Sequence, residues 1–184
     1  LVEGTEALKV GDPSERETFM GPVVNRNAFK DFVDYNEELH EAGTILTGGK
    51  ILPEGDLRNG FFCAPTIAAE VPHEHRLWKH EMFLPITLVT PVDSLDQAME
   101  LANDVDYGLT SGFYGSEEEV AWYFDNINAG VNYANRPQGS TTGAWPGYQP
   151  FGGWKGSGST GKNAGGVYYL PMYMREQVRT TVRR

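Results

Sequence analysis

Three short stretches of this sequence combine residue types that could support chemistry: a group of histidines, a glycine-rich loop and the single cysteine. His73, His75 and His80 could bind a metal ion, because alternating histidines on a strand point to one side of it. The stretch is typical of an exposed loop, and no further ligand pattern accompanies it. We therefore expect no metal site here.

The second stretch, Gly156–Gly161, has the Gly-x-Gly-x-x-Gly spacing of a dinucleotide-binding loop. Such a loop binds a pyrophosphate between a strand and the first turn of a helix, with an acidic residue about 20 positions further on. Here Gly152–Lys155 precedes the glycines, and Lys162–Gly166 follows them with poor helix-forming residues. We expect no dinucleotide loop of this type. A phosphate-binding α/β domain that uses these glycines stays an alternative.

Cys63 is the only cysteine and lies among apolar residues in Gly60–Thr66, without a basic neighbour. A catalytic thiolate needs a partner that lowers its pKa and a position open to substrate. We therefore expect Cys63 to be a buried structural residue and not a nucleophile. A single cysteine also excludes an intramolecular disulfide, which favours a reducing cytoplasm as the location.

The composition is that of a folded globular protein. The 184 residues are enough for one domain with a core, and 40% of them are hydrophobic and 22% charged. The net charge of −10 argues against nucleic acid as a partner, because binding a phosphate backbone normally requires a basic face. No apolar run approaches the roughly 20 residues of a membrane-spanning helix, so we expect no membrane partner.

The elements that would position functional residues alternate between strand and helix in the second half of the chain. The patterns predict strand Pro85–Pro91, helix Ser94–Asn103, strand Leu109–Gly115, helix Ser116–Asn128 and strand Gly130–Asn135. Both helices begin with the serine of a capping box, paired with Gln97 and Glu119. This order predicts a parallel sheet with right-handed crossovers, whose ligands bind beyond the carboxyl ends of the strands.

The remaining segments are less regular. The patterns predict helix Asn27–Ala42, strand Thr44–Thr47, strand Phe61–Val71 and a terminal strand Tyr168–Val182. Leu1–Leu8 is typical of the end of a helix whose beginning is missing, which indicates a fragment. Arg136–Gly166 contains ten glycines and three prolines, and a loop of this length is usually functional. The terminal strand is expected to pair with another chain.

Six motifs follow one another in a recognisable order. They are Gly21–Val24, Gly48–Lys50, Gly60–Thr66, Glu81–Pro85, Leu101–Asn103 with Tyr107–Thr110, and Pro150–Gly158. Their order resembles the C-terminal part of the aldehyde dehydrogenase superfamily. Tyr133–Arg136, Thr141–Ala144 and Gly161–Gly166 are similar to its 1-pyrroline-5-carboxylate (glutamate semialdehyde) dehydrogenase branch.

The resemblance implies an α/β fold with the parallel-sheet core of the catalytic domain over residues 1–167. Residues 168–184 would then be an oligomerisation strand and tail. It further implies that Glu81 accepts hydrogen bonds from the nicotinamide ribose of NAD and that Phe83 packs beside the nicotinamide. Gly143 and Ala144 would anchor the substrate α-carboxylate through backbone N–H groups, and Phe151 would line the aldehyde pocket.

The implied activity is the NAD-dependent oxidation of L-glutamate 5-semialdehyde to glutamate in proline degradation, in a cytoplasmic homo-oligomer. The family's cysteine nucleophile and general base lie upstream of the matched region, so no catalytic residue is expected here and the remainder of the dehydrogenase would be a partner. The alternative is a non-catalytic fragment that acts as a binding or oligomerisation module.

Two positions depart from the family pattern. Leu84 stands where the family has glycine, so its Cβ is expected to clash if the backbone there needs a positive φ. Trp145–Pro146 stands where branched aliphatic residues are common, and we expect it to reshape the substrate pocket.

Overall fold

The computed structural model describes residues 1–136, 149–158 and 162–183 of the chain. The chain divides into two compact units, Leu1–Pro91 and Val92–Arg184. Both units contain helices and strands, so the fold belongs to the mixed α/β class. Among the described residues, no helix has the length and apolar character that crossing a membrane requires.

The first unit is a three-stranded sheet with one long helix. Its elements are α1 (Val2–Glu6), α2 (Arg26–Ala42), β1 (Thr44–Thr47), β2 (Thr66–Ala69) and β3 (Ile86–Val89), with 3₁₀ turns at Gly55–Asn59 and Arg76–Trp78. The strand order is β1-β2-β3, with β1 antiparallel to β2 and β2 parallel to β3. The predicted strand Thr44–Thr47 is confirmed, and the predicted strand Phe61–Val71 is shorter in the structure.

Helix α2 supplies one side of the core of this unit. The Asn25 side chain accepts a hydrogen bond from the Ala28 N–H at 2.9 Å, which satisfies one of the free donors at the start of the helix. Two residues of the apolar face, Phe32 and Leu39, are fully buried. They share one cluster with Cys63, Ala68, Val71, Leu77 and Ile86. Burial of one such side chain contributes about 1.5–3 kcal/mol, so this cluster is the main source of stability for the unit.

Gly48, in the β1–β2 connection, is a position where a side chain is not tolerated. Its φ is +81°, in the left-handed region, and a Cβ would overlap the Pro65 carbonyl oxygen. The next residue, Gly49, donates its N–H to the Thr66 hydroxyl at 2.9 Å. The Gly-Gly pair therefore brings two stretches of backbone into direct contact.

The described part of the second unit contains two pairs of strands and two α-helices. Its elements are α3 (Leu95–Asn103), β4 (Tyr107–Gly108), β5 (Thr110–Phe113), α4 (Glu117–Asn126), β6 (Val131–Ala134) and β7 (Trp154–Lys155). Strands β5 and β6 are parallel, and β4 and β7 are antiparallel. Tyr123 of α4 is buried and stacks on Phe113 with ring centroids 5.0 Å apart.

Both predicted helix starts are confirmed, with one difference in detail. In α4, Ser116 and Glu119 form a complete capping box, with the Glu119 carboxylate accepting from the Ser116 N–H at 2.7 Å. In α3 the Ser94 hydroxyl accepts from the Gln97 N–H at 3.1 Å. In a complete capping box the Gln97 side chain would accept from the Ser94 N–H. It instead accepts from the N–H of the preceding residue, Asp93, at 2.7 Å.

The predicted three-stranded parallel core is not confirmed. Strand β3 pairs with β2 in the first unit, whereas β5 pairs with β6 in the second. Both ladders are parallel, but the predicted crossover from β3 to β5 does not join neighbouring strands of one described sheet. The periodicity of apolar residues identified the strands, but it does not show which strands pair with one another.

The predicted terminal strand Tyr168–Val182 is also not confirmed. The structure has a 3₁₀ turn at Pro171–Tyr173, and the described residues after it form no ladder. Pro171 has no backbone N–H to donate and starts this turn. Most apolar side chains of the segment are exposed, including Leu170, Tyr173 and Val178.

The crowding at Gly48 leads to a prediction about stability. Gly48→Ala is expected to lower the free energy of unfolding by about 2–4 kcal/mol, because it adds backbone strain and an overlap with Pro65. Gly55→Ala is the matched control, since Gly55 also has a positive φ (+56°) but nothing lies within 4 Å of its Cβ position. It is expected to cost only about 1–2 kcal/mol. Urea unfolding measures both; equal losses would show that the contact with Pro65 is unimportant.

Candidate functional site

Glu81 and Phe83 lie in a segment whose side chains alternate between the core and solvent. Met82 and Leu84 pack against the buried cluster of the first unit. Glu81 is exposed, and the Phe83 side chain is 80% exposed. Ile86, which is buried, then begins β3. Burial of Met82 and Leu84 therefore leaves Glu81 and Phe83 facing outward.

The backbone of this segment turns at Phe83. Its φ is +55°, which is unusual for an aromatic residue. Leu84 is not among the non-glycine residues with positive φ. The condition for a clash at Leu84 is therefore not met: the left-handed residue is one position earlier, and the extra side chain of Leu84 is accommodated in the core.

The Glu81 carboxylate and the Phe83 ring present two different kinds of group to solvent. Within the described part of the chain, no hydrogen bond or ion pair engages the Glu81 carboxylate. Both of its oxygens are thus available to accept from two neighbouring hydroxyls, as a ribose presents them. An exposed aromatic ring can pack against a planar heterocycle, and such contacts are worth about 0.5–1.5 kcal/mol beyond the buried area.

Phe151 of the second unit is held by its backbone. Its N–H donates to the Ala164 carbonyl at 2.7 Å, and its side chain is half-buried. The neighbouring backbone is closely packed, because a Cβ at Gly130 would overlap the Gly152 carbonyl oxygen. Gly143, Ala144 and Trp145, to which the resemblance assigns the substrate loop, lie outside the described residues.

The chain approaches that loop from a well-fixed strand end. Asn135, with φ +50°, accepts from the Gly115 N–H at 3.0 Å and donates to the Gly115 carbonyl at 2.8 Å. The Tyr114 hydroxyl donates to the Arg136 carbonyl at 2.6 Å. Asn135 and Arg136, the last described residues before position 137, therefore have a defined position and direction.

The glycine-rich stretch does not have the geometry of a dinucleotide loop. Residues 156–158 form a turn after β7, and the described residues 162–170 contain no helix. The Lys155 ammonium donates to the Asn103 and Val105 carbonyls at 2.7 and 3.1 Å, which satisfies the end of α3. Lys155 therefore makes a structural contact. The described part of this stretch has no helix whose first turn could bind a pyrophosphate.

The histidines contact three different partners. His73 lies 3.0 Å from the Thr90 hydroxyl, and His75 accepts from the Leu77 N–H at 3.3 Å. The His80 Nε2 atom lies 3.0 Å from the Tyr35 hydroxyl. In the described ranges, no three side chains of metal-ligating type come together. Tyr35 was missed at the sequence level, because no local pattern links it to a residue 45 positions away.

Cys63 is buried, as expected, and carries a free thiol. It lies in the apolar cluster with Phe32 and Leu39. Burial there raises the pKa of the thiol from 9.0 to about 11, because the thiolate would lose its hydration. The side chain is therefore neutral and inaccessible near neutral pH, which is the opposite of what a nucleophile requires.

Comparison with known proteins identifies the family. A sequence model described as the aldehyde dehydrogenase family matches residues 1–178. The chain belongs to this family. It is 39% identical over 176 residues to 1-pyrroline-5-carboxylate dehydrogenase of Geobacillus sp. (strain WCH70), covering 95% of this chain and 33% of the relative. The enzyme of that name from Bacillus licheniformis is 38% identical over the same shares of both chains.

Solved aldehyde dehydrogenases share the fold. A 1-pyrroline-5-carboxylate dehydrogenase from Thermus with bound NAD has a TM-score of 0.82 at 37% identity, over 93% of this chain and 32% of that one. Betaine aldehyde dehydrogenase from Staphylococcus aureus, in complex with NAD⁺, has a TM-score of 0.80 at 26% identity, over 94% and 34%. This aldehyde dehydrogenase chain therefore spans about a third of the length of the relatives it matches.

The buried state of Cys63 predicts slow thiol chemistry. At pH 8 the folded protein is expected to react with a disulfide reagent at least about 100-fold more slowly than the same chain in urea, because the raised pKa removes thiolate and burial removes access. The measurement is the release of the chromophore from the reagent over time. Equal rates in the folded and unfolded protein would contradict the burial of Cys63.

Proposed function

We propose that this chain is part of an NAD-dependent dehydrogenase that oxidises L-glutamate 5-semialdehyde, formed from 1-pyrroline-5-carboxylate, to glutamate in proline degradation. The observation that carries this proposal is the 39% identity, over nearly the whole chain, to relatives named for that reaction. The outward-facing Glu81 and Phe83 add independent support, since they present the groups that a nicotinamide riboside needs.

The cofactor contacts are assigned to the first unit. Glu81 binds the nicotinamide ribose hydroxyls, and Phe83 packs beside the ring. NAD, when bound, supplies the chemistry of accepting a hydride from the substrate carbon. The protein's part is to hold the ring in one orientation, and the core packing of Met82 and Leu84 supports that role.

The substrate contacts are assigned to the second unit. Gly143 and Ala144 bind the α-carboxylate with consecutive backbone N–H groups, an arrangement that favours small residues. Phe151 lines the aliphatic part of the aldehyde pocket. The fixed ends of the preceding strand, at Asn135 and Arg136, support a defined start for this loop. The Trp145–Pro146 pair adjusts the shape of the pocket.

The nucleophile comes from outside this chain. Cys63 is the only cysteine of the 184 residues and is buried with a raised pKa, so it does not attack the aldehyde. We infer that the remainder of the dehydrogenase is required and that this polypeptide alone does not turn over. Residues 1–167 then belong to the catalytic domain of a cytoplasmic homo-oligomer, and 168–184 to its oligomerisation strand and tail.

Substitutions at Glu81 and Phe83 test the cofactor assignment in the full-length protein. Glu81→Ala is expected to raise the KM for NAD about 10- to 100-fold, because hydrogen bonds to a charged group are lost. Phe83→Ala is expected to lower kcat as well, since the nicotinamide is no longer held in one orientation. Glu74→Ala, which removes another exposed carboxylate, is the control and should leave both constants unchanged. Unaltered kinetics for both site variants would refute the assignment.

A second substitution tests the substrate assignment. Gly143→Val is expected to raise the KM for glutamate semialdehyde at least about tenfold, because a branched side chain blocks the approach of the carboxylate to the backbone N–H groups. The KM for propanal, which has no carboxylate, should change little. Steady-state kinetics with both aldehydes measure the difference; equal losses for the two substrates would argue against a carboxylate anchor.

A second candidate function is a non-catalytic oligomerisation module. The exposed apolar side chains of Leu170, Tyr173 and Val178 favour an interface. Formation of NADH from glutamate semialdehyde by the full-length protein would exclude this alternative as the main role. Self-association without turnover would support it.

A further inference from the structure

Helix α2 contacts the segment that leads into Glu81 at two points. At the first, the Tyr35 hydroxyl lies 3.0 Å from His80 Nε2, and the two rings meet edge to face with centroids 5.7 Å apart. His80 directly precedes Glu81 in the chain. The contact therefore joins the middle of α2 to the residue next to the proposed ribose-binding carboxylate.

At the second point, Arg76 fixes the Tyr35 ring. The Arg76 guanidinium lies 5.1 Å from the centre of that ring. It also makes a two-point ion pair with Glu38, with Nε 3.0 Å from Oε2 and Nη2 bonded to Oε1. Glu38 is three positions after Tyr35, so both lie on one face of α2. The Tyr35 side chain thus contacts both a cation, Arg76, and an imidazole, His80.

These contacts hold the Glu81 segment from its N-terminal side. On the C-terminal side, Met82 packs against the core. The His80 N–H donates to the Arg76 carbonyl at 3.0 Å, which closes the turn between the two contact points. The Glu81 side chain makes no hydrogen bond or ion pair with the described residues, so its position depends on the residues before and after it.

We propose that Tyr35 and His80 are positioning residues for the nicotinamide ribose: their hydrogen bond holds the backbone at residue 80 so that Glu81 presents its carboxylate to the ribose hydroxyls. This inference rests on the proposed function of Glu81. Arg76 contributes by holding the Tyr35 ring in place. Because the pair is partly exposed and reaches the cofactor only through Glu81, its loss weakens cofactor binding and leaves the chemical step unchanged.

Tyr35→Phe in the full-length protein is the decisive variant, since it removes the hydroxyl and keeps the ring. The first readout is equilibrium binding of NADH, followed by its fluorescence. We expect affinity to fall about two- to tenfold, the range of one lost hydrogen bond. The KM for NAD should rise by a similar factor, while kcat and the KM for glutamate semialdehyde stay unchanged. A general loss of structure would alter all of these constants together.

Variants of His80 test whether the hydrogen bond itself matters. His80→Gln keeps an acceptor for the Tyr35 hydroxyl and is expected to retain most of the NADH affinity. His80→Leu removes the acceptor and should match Tyr35→Phe. In the double variant Tyr35→Phe/His80→Leu the two effects should not add, because both remove the same interaction. Additive losses would overturn the proposal.

Two controls separate this effect from ordinary surface changes. Asp34→Asn breaks an exposed ion pair with Lys30 that stays within α2. Tyr107→Phe removes the hydroxyl of another tyrosine, which is 46% exposed and whose hydroxyl makes no hydrogen bond to the described residues. Neither control should alter NADH affinity.

The outcomes separate the positioning role from the proposed function. Unchanged NADH affinity in Tyr35→Phe, with a wild-type protein that binds NADH and oxidises the semialdehyde, overturns the positioning role alone. If the wild-type protein neither binds NADH nor oxidises the semialdehyde, the proposed function fails, and the positioning role fails with it.

Discussion

The packing of Met82 and Leu84 into the core of the first unit determines what the chain offers to a ligand. Because side chains alternate along this segment, burying these two leaves Glu81 and Phe83 outside. The left-handed backbone at Phe83 occurs at the point where the chain leaves this alternation to begin β3. A positive φ at a non-glycine residue costs about 1–3 kcal/mol, and the burial of Met82 and Leu84 on either side of Phe83 offsets that cost.

Close contacts with the backbone also fix the chain in the second unit, as they do at Gly48 in the first. Gly130 allows the Gly152 carbonyl to lie directly on the start of β6, and the side chain of Asn135 bonds both backbone groups of Gly115. Contacts of this kind fix the path of the chain on both sides of residues 137–148. The carboxylate contact proposed for Gly143 and Ala144 would benefit from such fixed flanking residues, because pre-organised backbone N–H groups lose less freedom on binding.

The sequence predicted local features well and pairings poorly. The capping box at Ser116, the end of α2 at Gly43 and the burial of Cys63 each depend on neighbouring residues, and each is confirmed. The pairing of β3 with β2 depends on residues about twenty positions apart, and no periodicity encodes it. The contact of Tyr35 with His80 joins residues 45 positions apart and was missed for the same reason. Leu84 shows a third limit of prediction from sequence. The family pattern indicated backbone strain at position 84, whereas the positive φ in the structure is at Phe83.

The central claim is that the segment around Glu81 and Phe83 faces the nicotinamide end of NAD. Hydrogen–deuterium exchange of the full-length protein, with and without saturating NAD, tests it most directly. The claim predicts slower exchange in peptides that cover residues 79–86 when NAD is bound. It predicts no change in peptides that cover the first turns of α2 around Lys30. Unchanged exchange across residues 79–86, under conditions where NAD binding is demonstrated independently, would contradict it.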